Sequence, residues 1–174
     1  MQFASTSKIT FAGGGVSFVA ASETVLHTLE HRLSFMLIGP DKVNQLRHSR
    51  FLKGRLHEHM QAHAKLLRPK FGAVEEILSS ELGGLGIATW TQPAGGYLVS
   101  LDLLPGLASE VVEMAQQVGL TLTPAGATFP YAKDPDNRNV RIAPTFAGLD
   151  ELRTAMQILT LCVKLASVNK LQGT

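Results

Sequence analysis

The sequence has little of what marks several large functional classes. It holds one cysteine, Cys162, so no disulfide framework can form within the chain. That cysteine stands in "MQILTLCVKLA", an apolar stripe at helical spacing, where a thiol reads as a small core residue rather than a nucleophile. Charge is sparse: 17% of the residues are Asp, Glu, Lys or Arg, and the formal net charge is +2. So small an excess leaves no electrostatic footprint for nucleic acid or an acidic membrane surface. The densest basic group, "RHSRFLKGR" over 47–55, is interrupted by Phe51, Leu52 and Gly54 and reads as a solvated helix face. No apolar run reaches the ~18–20 residues of a membrane span. No basic segment followed by an apolar stretch opens the chain. The expectation is a cytoplasmic soluble protein with neither membrane nor nucleic acid as a partner.

Several motifs are also missing where part of their pattern occurs. "FAGGGV" (11–16) suggests a phosphate loop, but a Walker motif ends in Gly-Lys-Ser/Thr and feeds a helix. Here Lys8 precedes the glycines and a β-prone run follows them. The Gly-x-Gly-x-x-Gly dinucleotide fingerprint is absent too, so the glycines read as a close backbone approach beside something bulky. "HEHMQAH" places His59 and His63 on one helix face and His57 elsewhere, but Gln61 breaks the His-Glu-x-x-His zinc signature. Exposed imidazoles on a surface helix explain these residues, and His27 and His31 likewise; no metal is expected. No internal repeat is present.

What remains is an ordinary globular composition, 174 residues of which 45% are hydrophobic, enough for one domain or slightly more with a real core. "MQFASTSK" opens directly on a strand-like segment, as though the chain start cut through an element. "VSFVAAS" (16–22) is a short β-prone run. Ser22 has N-cap chemistry for a helix whose apolar residues Val25, Leu26, Leu29, Leu33, Met36 and Leu37 recur at three- and four-residue intervals. Pro40 ends that helix and Asp41 can cap the next. Two or three helices are expected to Leu82, the last over about 55–82, with Pro69 either kinking it or opening a new one. After "LGGLG" the character changes. "IATW", "GGYLVSLDL", "LTLTPAG" and "NVRIAP" read as strands, "ASEVVEMAQQVG" and "LDELRTAMQILTLCVKLAS" as amphipathic helices. The second half is therefore expected to be a β-β-α-β-β-α unit.

Two positively charged residues stand out. If 139–143 is a strand, Val140 and Ile142 face the core while Asn139, Arg141 and Ala143 face the other way. A guanidinium placed so suits bidentate recognition of a carboxylate, and a surface arginine on an edge strand is the alternative. Lys8 follows Ser5, Thr6 and Ser7. Hydroxyls for a phosphate, an amine for a carbonyl carbon and glycines that admit a planar ligand are what a pyridoxal phosphate Schiff base needs. On residue types alone, a solvated lysine near the chain start is the simpler reading.

The arrangement as a whole shifts that balance. "STSKITFAGGGVSFVAAS" resembles the Ser-x-Ser-Lys segment of fold-type I pyridoxal phosphate enzymes. "GPDKVNQLRHSRF", "LRPKFGAVEEIL", "PAGGYLVSLD", "LTLTPAGATFPY" and "NVRIAPTF" follow in the order and spacing of one aminotransferase branch. That is the class I-like group of bacterial aspartate aminotransferases related to the MocR regulators, and the resemblance covers residues 3–168. It implies that Lys8 is the catalytic lysine that carries the cofactor and moves a proton. It implies that Ser5 binds the cofactor phosphate, that Ser7 lies beside it, and that Arg141 holds the substrate α-carboxylate. It implies an α/β chain made of the end of a cofactor-binding large domain with interdomain helices (1–70) and a small domain (71–174). The implied cofactor is pyridoxal 5'-phosphate, the implied reactants an acidic amino acid and a 2-oxo acid, and the implied whole protein a homodimer. The alternative is part of the effector domain of a MocR-type regulator. Relatives also carry an upstream half that stacks on the cofactor ring and pairs with its nitrogen. This chain is therefore expected to be a C-terminal portion, inactive alone, with apolar edges exposed.

Overall fold

The computed structural model describes residues 1–11 and 13–173. The chain divides into two compact units, Met1–Lys65 and Leu66–Thr174, and the boundary falls within one long helix.

The second unit is built on a three-stranded antiparallel sheet of order β3-β4-β5, with β3 at Ala88–Trp90, β4 at Val99–Leu103 and β5 at Asn139–Ile142. Two-residue periodicity sorts the side chains. Val99, Leu101 and Leu103 of β4 and Val140 and Ile142 of β5 are buried, whereas Ser100, Asp102, Asn139 and Arg141 stand half-buried on the other face. The register pairs Leu101 with Val140 and Ser100 with Arg141. Three helices cover the apolar face. Helix α3 (Leu56–Leu82) contributes Val74, Ile77, Leu78 and Leu82; α4 (Ala108–Gln117) contributes Ala108, Val111 and Ala115. Helix α5 (Leu149–Gln172) contributes Leu152, Met156, Leu159, Val163 and Ala166 at alternating four- and three-residue steps. Cys162 is buried among them, as its surroundings in the sequence indicate. Pro69 lies inside α3 and does not open a new helix. Gly173, at φ 75°, closes α5 in the left-handed conformation that glycine adopts readily.

One expected strand does not form: "LTLTPAG" carries no ladder, so the described order is β-β-α-β-α rather than β-β-α-β-β-α. The segment is held beside β5 by a side chain instead, because the Thr123 hydroxyl accepts from the Arg141 guanidinium. Alternation in the sequence reports an extended backbone; it does not report whether a neighbouring strand is free to pair with it.

The first unit begins with a two-stranded antiparallel ribbon, β1 (Gln2–Ser5) and β2 (Ser17–Ala20), in which Phe3 pairs with Val19 and Ser5 with Ser17. Every residue of both strands is exposed. Helix α1 (Glu23–Met36) forms where its periodicity predicts, but none of its residues is fully buried: Val25, Leu26 and Leu29 are half-buried, and Leu33 and Met36 are exposed. Ser22 occupies the N-cap position without making a side-chain cap bond. Helix α2 (Lys42–Leu52) is capped as expected, the Asp41 carboxylate accepting from the Asn44 backbone N–H at 2.9 Å. Its single buried residue is His48.

Candidate functional site

In the first unit, Lys8 lies in the tight turn that leaves β1. The Thr6 carbonyl accepts from the backbone N–H groups of Ile9 and Thr10, both at 3.0 Å, which curls residues 6–10 around Lys8. Thr6 is only 8% exposed. Its backbone N–H donates to the Val16 carbonyl at 2.9 Å, and its hydroxyl accepts from the Val16 N–H at 2.8 Å. The turn is thereby tied to the chain entering β2. Ser5 and Ser7 point their hydroxyls at one another, 2.7 Å apart, and the Ser7 N–H donates to the Ser5 hydroxyl at 3.0 Å. Both serines and Lys8 are exposed.

The glycine run has a defined purpose at one position. A Cβ on Gly15 would fall 2.0 Å from the Ser7 hydroxyl and 2.7 Å from its Cα. Backbone here approaches backbone so closely that no side chain fits. The Asn44 side-chain amide donates to the Gly14 carbonyl at 2.8 Å, tying α2 to the same strand-entry segment.

Two histidines reach the other end of the turn. His48 Nδ1 lies 2.9 Å from the Asn44 carbonyl. A carbonyl only accepts, so Nδ1 carries a proton. His48 Nε2 lies 2.8 Å from the Thr10 hydroxyl, which is also 2.9 Å from the Thr6 carbonyl. His59, from the first turn of α3, donates through Nε2 to the Ile9 carbonyl.

In the second unit, Arg141 projects from β5 on the face away from the core, as alternation requires. Its Nε and Nη2 both donate to the Thr123 hydroxyl, at 3.2 and 3.1 Å. It lines two open cavities. One, about 360 Å³, is bounded by Thr91, Ser100, Thr128, Phe129 and Asn139; the other, about 450 Å³, by Leu120, Thr123, Phe146 and Met156. Beside it the Asn139 side-chain amide donates to Ser100 Oγ and Asp102 Oδ1, both at 2.7 Å, and accepts from the Thr128 hydroxyl at 3.1 Å. The turn that launches β5 is organised by Asp134. Its Oδ2 accepts from the N–H groups of Arg138 and Asn139 at 2.8 Å, and its Oδ1 accepts from Asp136 at 3.1 Å. Desolvation pushes the Asp134 carboxyl up, but these backbone N–H groups outweigh it and hold the group below its ordinary value. Burial pushes the Cys162 thiol up, which leaves it a poor nucleophile.

Ser5, Ser7 and Lys8 are thus brought together in one turn, and Arg141 sits in the other unit with its own neighbours. Sequence reading missed His48, Thr10 and Thr123, and assigned His59 to an exposed helix face. The available signal was Asn44, His48 and Phe51 at helical spacing; with no apolar residue among the first two, that stripe reads as solvated. Among the described residues no group of three or more His, Cys, Asp or Glu gathers as a metal site, and no helix is long and apolar enough to cross a membrane.

The sequence model of the family described as aspartate amino-transferase matches residues 1–174. A protein of Mycolicibacterium smegmatis, provisionally described as an aminotransferase, is 51% identical over 99% of this chain and 41% of its own length. An aspartate aminotransferase of Corynebacterium glutamicum is 46% identical over 95% of this chain and 39% of its own length. The chain therefore spans about 40% of the curated relatives it matches. The crystal structure of an aspartate transaminase from Corynebacterium glutamicum superposes with a TM-score of 0.86 at 45% identity, covering 97% of this chain and 40% of that one. An alpha-aminoadipate aminotransferase of Thermus thermophilus, complexed with N-(5'-phosphopyridoxyl)-L-leucine, shares the fold at 21% identity, with a TM-score of 0.77 over 94% of this chain and 41% of that one.

Proposed function

This chain belongs to the aspartate amino-transferase family, and from that premise we propose that it carries the lysine- and carboxylate-binding part of a pyridoxal phosphate-dependent aminotransferase. The observation that carries this reading is the Ser5–Ser7–Lys8 turn, two hydroxyls 2.7 Å apart followed directly by a primary amine. That donor set fits a phosphorylated aldehyde: hydroxyls donate to phosphate oxygens and an amine holds an aldehyde carbon. The approach of Gly15 to Ser7 keeps side-chain bulk away from the hydroxyls.

In this reading Ser5 and Ser7 hold the phosphate and Lys8 holds the aldehyde carbon. When bound, the cofactor supplies an electron sink for the pair left on the substrate Cα. Once the substrate amine took its place on the aldehyde carbon, the released Lys8 Nζ would take the proton from that Cα as general base and return it during amino transfer. Arg141 holds the substrate α-carboxylate, for which a guanidinium offers parallel donors. Its Nε and Nη2 are steadied by Thr123, and the Nη1 side of the guanidinium is left to the substrate. A lysine acts as a base only when neutral, which takes burial or a nearby positive charge. Lys8 is exposed in this chain, and no turnover is expected from the chain alone. The whole protein is proposed as a homodimer acting on an acidic amino acid, with a 2-oxo acid as acceptor. The substrate name carried by the Corynebacterium glutamicum relative supports that choice.

The test is chemical trapping. The chain is incubated with pyridoxal 5'-phosphate, reduced with borohydride and mapped by peptide mass. Label concentrated on Lys8, and lost in Lys8→Ala, is expected. Label spread evenly over the lysines overturns the proposal; turnover of aspartate by the chain alone overturns only the expectation that it is inactive by itself.

A further inference from the structure

The two histidines that reach the lysine turn are not explained by the family reading. His48 is 4% exposed and is the only buried residue of α2. An imidazole buried in a helix face costs desolvation that a leucine would not, unless both ring nitrogens find partners. Both do: Nδ1 donates to the Asn44 carbonyl, and Nε2 meets the Thr10 hydroxyl at 2.8 Å. His59 donates to the Ile9 carbonyl. The two contacts therefore land on Ile9 and Thr10, the two residues that directly follow Lys8.

The imidazoles are themselves fixed. Phe11 packs edge-on against His48 with ring centres 5.1 Å apart, Phe51 lies 5.1 Å from Phe11, and His59 lies 5.2 Å from Phe51. The Arg47 guanidinium covers Phe11 at 4.0 Å. The four rings form a continuous row joining α2 and α3 to the turn, and an imidazole packed against a phenyl ring has less room to swing its nitrogens away. Thr6 already ties the near end of the turn to Val16. A turn anchored at one end can still pivot, and anchors on the far side remove that freedom.

We infer that His48 and His59 are positioning residues that clamp the Ile9 carbonyl and the Thr10 hydroxyl, and so fix where the Lys8 side chain leaves the backbone. The inference rests on the role given to Lys8 above, because an amine that holds a cofactor and moves a proton loses rate steeply, about 100-fold for a displacement of about 1 Å.

The test uses two readouts on the chain with His48→Leu, His59→Leu and the amide-bearing variants His48→Gln and His59→Gln. The first readout is hydrogen exchange at the Ile9 and Thr10 amides, both bonded to the Thr6 carbonyl. The second is the share of phosphopyridoxyl label on Lys8 after trapping with pyridoxal 5'-phosphate and borohydride. Each leucine variant should speed exchange at these amides about fivefold, the scale of one lost hydrogen bond. It should also lower the Lys8 share of label by a similar factor, with exchange in β3–β5 unchanged. Each glutamine variant should recover most of both. Unchanged exchange in the leucine variants, or equal loosening by leucine and glutamine, overturns the clamp. If the unsubstituted chain shows no preference for Lys8, the cofactor reading fails, and the exchange result alone decides the clamp.

Discussion

The two units bury opposite kinds of residue. In Leu66–Thr174 the fully enclosed side chains are mostly aliphatic: Leu78, Leu82, Leu101, Leu103, Val111, Leu159 and Val163 form one cluster between the sheet and its helices. In Met1–Lys65 the buried side chains among the described residues are Thr6 and His48, and both are hydrogen-bonded. None of the described apolar residues of that unit is fully buried, and Phe3, Phe18, Phe35 and Ile38 are exposed. Aliphatic burial contributes stability in proportion to the area removed from water. A satisfied polar network contributes little net stability, but it fixes geometry, because each donor has one good direction. The second unit is built to stay folded, and the first holds one turn in place.

This contrast predicts where truncation does damage. Leu101→Ala or Leu78→Ala empties a site with no solvent exposure, and should lower the unfolding free energy of the second unit by about 2–5 kcal/mol. Phe18→Ala removes a larger side chain, but one 56% exposed, and should fall within about 0.5 kcal/mol. Urea unfolding followed by circular dichroism, with exchange at β4 amides as the local probe, measures both. Comparable losses at Phe18 and Leu101 would erase the distinction between the units.

The same contrast decides how much was legible beforehand. Helix positions were readable wherever three- and four-residue spacing coincided with caps or stops, so α2 begins at the Asp41 cap and α4 stops just before Gly119, whereas α5 runs on past its expected end at Ser167 to Gln172. Strands β4 and β5 were readable because each buries one face. The faces of Arg141 and Val140 followed from alternation alone. Three things were not readable. Periodicity in α1 reports amphipathicity and cannot say that its apolar face is only half covered. Alternation in "LTLTPAG" cannot say that no strand edge is available to it. The clamp residues lie 38 and 50 positions from their partners Thr10 and Ile9. A polar contact at such separation leaves no periodic trace, unlike the apolar residue it displaces. Lys8 drew notice through its neighbours Ser5 and Ser7, which are local; His48 is distant in sequence and drew none.

A smaller and strictly local effect should follow from Gly15→Ala. The new Cβ would lie 2.0 Å from the Ser7 hydroxyl, so the turn has to open, at a cost of about 1–3 kcal/mol for an overpacked site. The expected signature is faster exchange at the Thr6 and Val16 amides, together with loss of the Lys8 preference in cofactor trapping. The urea midpoint of the second unit should not move. A midpoint shift as large as that of Leu101→Ala would mean that the turn supports stability as well as geometry.

The smallest effect lies at Asp134, a polar device in the unit otherwise held by aliphatic burial. Its carboxyl is held below the ordinary value by backbone N–H groups that only the folded chain presents together. A carboxylate with a lowered folded pKa adds stability at pH values above its unfolded pKa, about 3.9, and loses it as pH falls through the lower folded value. In Asp134→Asn the charge that these N–H groups favour is gone at every pH. The difference in unfolding free energy between the two chains should therefore be constant above about pH 5, and should shrink steadily as acid protonates the native carboxylate. Because the group lies near the surface, screening keeps the effect below that of any core truncation. A difference that grows on acidification would mean that Asp134 is repelled where it sits. The launch of β5, and with it the placement of Arg141, would then depend on the sheet alone.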